Sequence, residues 1–127
     1  MRLVRVLADA AATEGRYALL EFAAARGDGH PAHLHRREDE VLLVLSGTLM
    51  VVVAGDSITL TGGGVARLPR DVPHRFTISS DEARFLLAYL PGGFEAALLD
   101  AGSWTRDDDD LAALLAARGV EWIPAAW

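Results

Sequence analysis

The chain has 127 residues, 51% of them hydrophobic and 24% charged, with a formal charge of −6 and no Cys, the profile of one soluble globular domain. Without Cys there are no disulfides, thiolate metal sites or thiol nucleophiles, and Lys, Asn and Gln are missing too, which removes Schiff-base and P-loop chemistry. The net negative charge argues against a nucleic-acid partner. No apolar run approaches the roughly 18 residues that a membrane helix needs, and the start, MRLVRVLADA, has no signal-peptide core, so a cytoplasmic protein away from membranes is expected.

The first ninety or so residues alternate short runs rich in Val, Leu, Ile, Phe and Tyr with turn residues. The predicted strands are Leu3–Leu7, Arg16–Ala24, Ala32–His35, Glu40–Leu45, Thr48–Ala54, Ser57–Thr61, Val65–Leu68, His74–Ser79 and Arg84–Leu90. Gly55–Asp56 is placed as a tight hairpin turn. So many short strands at this spacing point to an antiparallel sandwich or barrel. After Pro91 the period becomes helical, with Phe94, Ala97, Leu98 and Ala101 on one face and Gly102 at the stop. A second helix is predicted from about Asp108 to Arg118, with Leu111, Leu114 and Leu115 on one stripe. The Asp107–Asp110 run at its start suits the positive end of the helix dipole better than it suits an acidic binding patch. Most of the net charge lies in this tail. The chain is therefore read as a barrel over 1–92 and a helical extension over 93–127 packed on it, with Trp104, Trp122 and Trp127 packing the tail onto the barrel or a partner subunit.

Chemistry concentrates in His33-Leu34-His35-Arg36-Arg37-Glu38-Asp39-Glu40 and in Pro69-Arg70-Asp71-Val72-Pro73-His74. Residues two apart on a strand share a face, so His33 and His35 can converge on one point. Glu40, opening the next strand, can add a carboxylate oxygen there, and His74 a third imidazole from across the barrel. Taken singly, each has a plainer reading: the His pair on a solvated loop, Glu40 as a surface acid, His74 as an ordinary strand histidine. Together they suit a divalent first-row metal with positions left open for water, dioxygen or a substrate. His30, in the Gly27–Pro31 loop, is read as a surface residue in preference to a fourth imidazole.

The joint pattern resembles the cupin superfamily. Its first motif, G-x5-H-x-H-x3-4-E-x6-G, is matched by Gly27, His33, His35, Glu40 and Gly47. Its second, G-x5-P-x-G-x2-H-x3-N, is matched by Gly63, Pro69 and His74, with Asp71 in place of the Gly and Ile78 in place of the Asn. The segments PAHLHRREDEVLLVLSGTL, LPRDVPHRF and PGGFEAALLDAG resemble small bacterial quercetin dioxygenase-like cupins. The resemblance implies an all-β jelly-roll or double-stranded β-helix barrel and one divalent transition metal ion (Fe, Ni, Mn, Zn or Cu) on His33, His35, Glu40 and His74. It implies a homodimer and dioxygenase-like chemistry on a small-molecule substrate, apolar or aromatic and enolic, with Glu40 also acting as base. A metal-dependent lyase, isomerase or cyclase, or a non-enzymatic binding cupin, are the alternatives on the same scaffold. Strand alternation places Leu42, Val44, Met50, Phe76 and Ile78 on the inner face as pocket wall, with Tyr17 and Tyr89 as polar handles.

Overall fold

The computed structural model describes residues 1–101 and 109–123. The elements run β1 (Arg2–Ala8), α1 (Ala10–Thr13), β2 (Ala18–Ala25), β3 (Gly29–His35), β4 (Asp39–Ser46), β5 (Leu49–Val53), β6 (Asp56–Leu60), β7 (Val65–Leu68), β8 (His74–Ile78), β9 (Glu82–Leu90), α2 (Glu95–Ala101), α3 (Asp109–Ala117) and β10 (Val120–Trp122). The strands form two five-stranded antiparallel sheets, ordered β1-β2-β9-β4-β7 and β10-β3-β8-β5-β6. Chain neighbours such as β3 and β4 lie in different sheets, so the ribbon crosses repeatedly between two layers. This is the jelly-roll, or double-stranded β-helix, architecture that the family resemblance implies, and it narrows the sandwich or barrel expected from the strand pattern.

Period-two alternation fills the space between the sheets. Along β9 the side chains of Ala83, Phe85, Leu87 and Tyr89 are buried, while Glu82, Arg84 and Leu90 face out. Phe85 stacks on Phe22 with ring centroids 5.6 Å apart and meets Phe76 edge-on at 5.4 Å. Each such side chain contributes about 1.5–3 kcal/mol by leaving water. Phe94, Ala97 and Leu98 of the α2 region and Leu115 of α3 join this core, as the helical period predicted.

Several expectations need correction. Met50 is 43% exposed, because its strand partners are Thr59 and Thr77 while Leu49 and Val51 face inward. Alternation carried over from β4 slips by one residue across the Gly47 turn, and a one-residue slip inverts every side chain of a strand. Tyr17, 42% exposed, precedes β2, and its backbone carbonyl accepts from the Thr13 hydroxyl; it does not reach the barrel interior. The β5–β6 turn is Ala54–Gly55, both at positive φ, one residue earlier than predicted. α1 went unpredicted; Asp9 caps it by accepting from the Ala12 N–H.

The tail is not purely helical, since β10 pairs with β3 and completes the second sheet. Gly102, Trp104, Asp107, Asp108 and Trp127 lie outside the described residues. Among the described residues no helix is long and apolar enough to cross a membrane.

Candidate metal centre

The cluster forms between the two sheets. β3 carries His33 and His35, and β8 opens with His74, which sits directly across from His33. Glu40 comes from the facing sheet, on β4 between Leu68 and Tyr89. One ligand atom from each of the four residues lies within 4.8 Å of all the others, and all four residues are buried. The ring centroids of His33 and His74 are 4.5 Å apart, and the rings of His35 and His74 are parallel to within 4°.

Local backbone features place these groups. The motif glycine Gly47 is at φ +84, where a Cβ would come within 2.3 Å of the Glu82 carbonyl oxygen. Gly29 at the start of β3 lies against Phe76 so closely that a Cβ would stand 2.0 Å from its carbonyl oxygen. Asp71, replacing the second motif's glycine, occupies the left-handed region at φ 65, which Asp tolerates. Its N–H donates to the His35 carbonyl at 2.8 Å, joining the two motif segments.

The other ring nitrogen of each histidine is already engaged. His33 Nδ1 lies 2.8 Å from the Pro31 carbonyl oxygen, His35 Nδ1 2.7 Å from Glu38 Oε1, and His74 Nδ1 3.3 Å from the Val72 carbonyl oxygen. Since these partners are acceptors, each Nδ1 carries a proton, which leaves Nε2 as the lone-pair nitrogen whenever the ring is neutral. That is the arrangement of metal-ligating histidines. Glu40 Oε1 stands 2.6 Å from His35 Nε2 and 3.7 Å from His74 Nε2. Neither approach is aligned as a hydrogen bond, and both Glu40 Oε1 and His74 Nε2 are buried without a hydrogen-bond partner. Buried, inward-facing lone pairs of this kind are stabilised by a cation among them. The residues therefore fit a divalent transition metal.

The electrostatics agree with that placement. Burial, reinforced by the His74 imidazole, holds His33 down to about 3, against the pull of Glu40. Burial also lowers His74, and Glu40 only partly opposes it. Burial alone would lower His35 as well, but the carboxylates of Glu40 and Glu38 outweigh it and lift the group to about 9. Glu40 itself is lowered: desolvation alone would raise its pKa, and the imidazoles of His35, His74 and His33 outweigh that. Without metal, a proton on His35 thus occupies the position beside Glu40.

Aromatic side chains surround the imidazoles. Phe94 meets His35 edge-on at 4.7 Å, Tyr89 lies 6.0 Å from it, and Trp122 of β10 is 5.4 Å from His33. Burial, with the carboxylates of Glu40, Glu38 and Glu95, pushes the Tyr89 phenol well above its ordinary pKa and keeps it neutral. Leu42, Val44, Phe76 and Ile78 face inward as predicted and are buried core residues. His30 departs from its surface reading: it is 8% exposed and packs 4.9 Å from the Phe76 ring. A bulge between His30 and His33 breaks the β3–β8 register. The bulge brings residues three apart to the same side, and strand alternation could not show it. Glu38 and Trp122 were also missed. Glu38 sits in a charged run that reads as surface, and Trp122 lies in a tail that reads as helix.

Comparison with known proteins agrees with this geometry. The cupin domain family matches residues 20–89. The quercetin 2,3-dioxygenase of Bacillus subtilis (strain 168) is 29% identical over 92 residues, covering 72% of this chain. The chain spans only 27% of that relative's length. Among solved structures, KdgF from Halomonas sp. superposes with a TM-score of 0.66 at 17% identity, over 72% of this chain and 80% of that one. TT1209 from Thermus thermophilus superposes with a TM-score of 0.57 at 27% identity, over 61% and 74%. With the family match covering more than half of its residues and a buried His/His/Glu/His cluster at the family's motif positions, this chain belongs to the cupin family.

Proposed function

We propose that this cupin holds one divalent transition metal ion on His33, His35, Glu40 and His74 and acts as a dioxygenase-like enzyme on a small enolic substrate, apolar or aromatic in character. The observation that carries the reading is the convergence of three Nδ1-anchored imidazoles and one buried carboxylate on a single point. The similarity to a quercetin 2,3-dioxygenase supports the oxidative chemistry, and the aromatic surround of Trp122, Phe94 and Tyr89 supports the substrate class.

A bound first-row ion supplies a Lewis acid and, for iron, nickel, manganese or copper, access to dioxygen chemistry. The chain's own residues do the rest. With an ion bound the three imidazoles would be neutral, fixed in tautomer by their Nδ1 partners. Glu40 Oε1, which lacks an aligned donor, is placed to receive the proton of a substrate hydroxyl. The aromatic rings and the buried faces of Leu42 and Val44 keep water out, which strengthens that proton transfer.

The test is oxygen consumption by the metal-loaded protein with a panel of flavonols and other enolic compounds. Uptake that disappears on chelation and in Glu40→Gln supports the reading. Turnover that continues without oxygen would reassign the protein to the lyase, isomerase or cyclase class. Ligand binding without turnover, retained in His74→Ala, would make it a binding module.

A further inference from the structure

We propose that Glu38 is a positioning residue for His35: its carboxylate fixes the tautomer and aim of that imidazole and so sets the strength of the metal centre. This rests on the metal-binding reading above. The family motif treats the residues between His35 and Glu40 as a variable spacer, and the run RRED reads as solvated surface. The fold shows otherwise. Arg36 and Arg37 are exposed, whereas Glu38 is only 5% exposed, facing inward beneath them. Carboxylates are rarely this buried without a partner. The partner here is His35 Nδ1, 2.7 Å away on a ring that is itself 2% exposed.

The turn is built to hold Glu38 in this place. The Arg36 N–H donates to the Gly119 carbonyl at 2.8 Å, and the Arg36 guanidinium pairs with Asp71 and Glu121. On the other side, Asp39 accepts from the Arg70 N–H at 2.9 Å. The backbone is thus tied before and after Glu38, to β10 and to the segment that carries His74. The result is unequal treatment of the three ligands. His33 and His74 lean on backbone carbonyls, while His35 leans on a carboxylate. A carboxylate accepting from Nδ1–H makes the imidazole a more basic ligand than a carbonyl does, and loss of such a partner typically weakens metal affinity by about 10–100-fold. Phe94, edge-on to His35 at 4.7 Å, limits the ring's tilt but leaves its tautomer free. That choice falls to Glu38.

Glu38 also lines a cavity of about 250 Å³ with Arg37, Pro91, Gly92, Gly93, Phe94 and Arg118. A changed side chain therefore has room, and substitution need not disturb the core.

The experiment compares wild type, Glu38→Gln and Glu38→Ala by competition for Zn²⁺ and Ni²⁺ against a chromophoric chelator. The Co²⁺ absorption spectrum of each and the His35 ring-nitrogen shifts in the metal-free protein are recorded alongside. Expected are a roughly 10–100-fold loss of affinity in Glu38→Ala with an altered Co²⁺ spectrum, and a smaller loss in Glu38→Gln, whose amide oxygen still accepts without the charge. Recorded above pH 9, where the metal-free His35 ring carries a single proton, that proton should sit on Nδ1 in wild type and redistribute in Glu38→Ala. A Glu38→Ala variant with wild-type affinity, spectrum and tautomer would overturn the assignment, whatever its melting temperature. If wild type takes up no metal, the functional reading fails by itself, and the tautomer comparison still decides whether Glu38 positions His35.

Discussion

Asp71 stands where the second cupin motif has glycine, and its backbone makes the cost of that replacement predictable. It sits at φ 65, a region that costs an ordinary L-residue roughly 1–2 kcal/mol and a β-branched residue more. Its carboxylate accepts from Arg36 at 3.1 Å, with both side chains about half exposed, so this ion pair contributes at most about 1 kcal/mol. Asp71→Gly removes the strain and the ion pair together and adds freedom to the unfolded chain, worth about 0.4–1 kcal/mol; the changes offset, and stability should move by less than about 1 kcal/mol. Asp71→Val adds roughly another 1–2 kcal/mol of strain and loses the pair, so about 1–3 kcal/mol should be lost. Unfolding entropy near 2.1 cal/mol/K per residue makes 1 kcal/mol worth about 4 °C in a chain of this length. Melts followed by circular dichroism in the presence of a chelator should thus show Asp71→Gly close to wild type and Asp71→Val about 4–11 °C lower. Equal melting temperatures for Asp71→Gly and Asp71→Val would refute the claim that the left-handed backbone governs this position.

Glu95 is buried and accepts from the N–H groups of Ala10 at 2.8 Å and Gly93 at 2.7 Å, tying α1 to the start of α2. Glu95→Ala should cost about 2–4 kcal/mol, read in urea unfolding; an unchanged midpoint would count against that tie. For the metal-free protein, the histidines set opposite pH limits. His35 is raised to about 9, so its contribution is complete below its unfolded value near 6.5 and disappears as pH rises toward 9. His33 and His74 are lowered, so stability also falls as pH drops below about 6.5 and the unfolded chain takes up protons there. Melts between pH 5 and 9 with chelator present should peak near neutrality, and a monotonic rise to pH 9 would contradict the His35–Glu40 arrangement. The outer face of the β1-β2-β9-β4-β7 sheet carries Val41, Leu43 and Leu86 beside the exposed Leu45, Val65 and Leu90. The homodimer implied by the family resemblance would cover this face. Sedimentation should then show a dimer that Leu43→Arg converts to monomer, and a monomeric wild type at micromolar concentration would exclude it.

Much of the barrel was legible because one face of each strand is buried. In His74–Ile78 the alternation maps directly onto inside and outside: His74, Phe76 and Ile78 are buried, while Arg75 and Thr77 face the other way. The His33–His35 pair was legible for a related reason, since residues two apart on a strand share a face; Glu40 and His74 joined it through the match to the cupin motifs. What stayed hidden depends on contacts distant in sequence. β10 is three residues long and exists as a strand only because β3 offers it an open edge. His30 turns inward through a bulge, and Met50 turns outward because the Gly47 turn resets the phase. Glu38 is acidic in an acidic and basic run, and nothing local distinguishes it from Asp39; its burial follows from ties to Gly119, Asp71 and Arg70.

The central claim is that His33, His35, Glu40 and His74 together form one metal site. Its most direct measurement is the metal content of protein loaded with Ni²⁺, Zn²⁺, Mn²⁺ or Fe²⁺ and then desalted, for wild type and for each single alanine variant, with folding of each checked by circular dichroism. About one ion per wild-type chain, and a large loss of retained metal in every one of the four folded variants, is the result predicted for a centre built from these ligands. A wild-type protein that retains none of these ions, or a His74→Ala variant that retains as much as wild type, would contradict it.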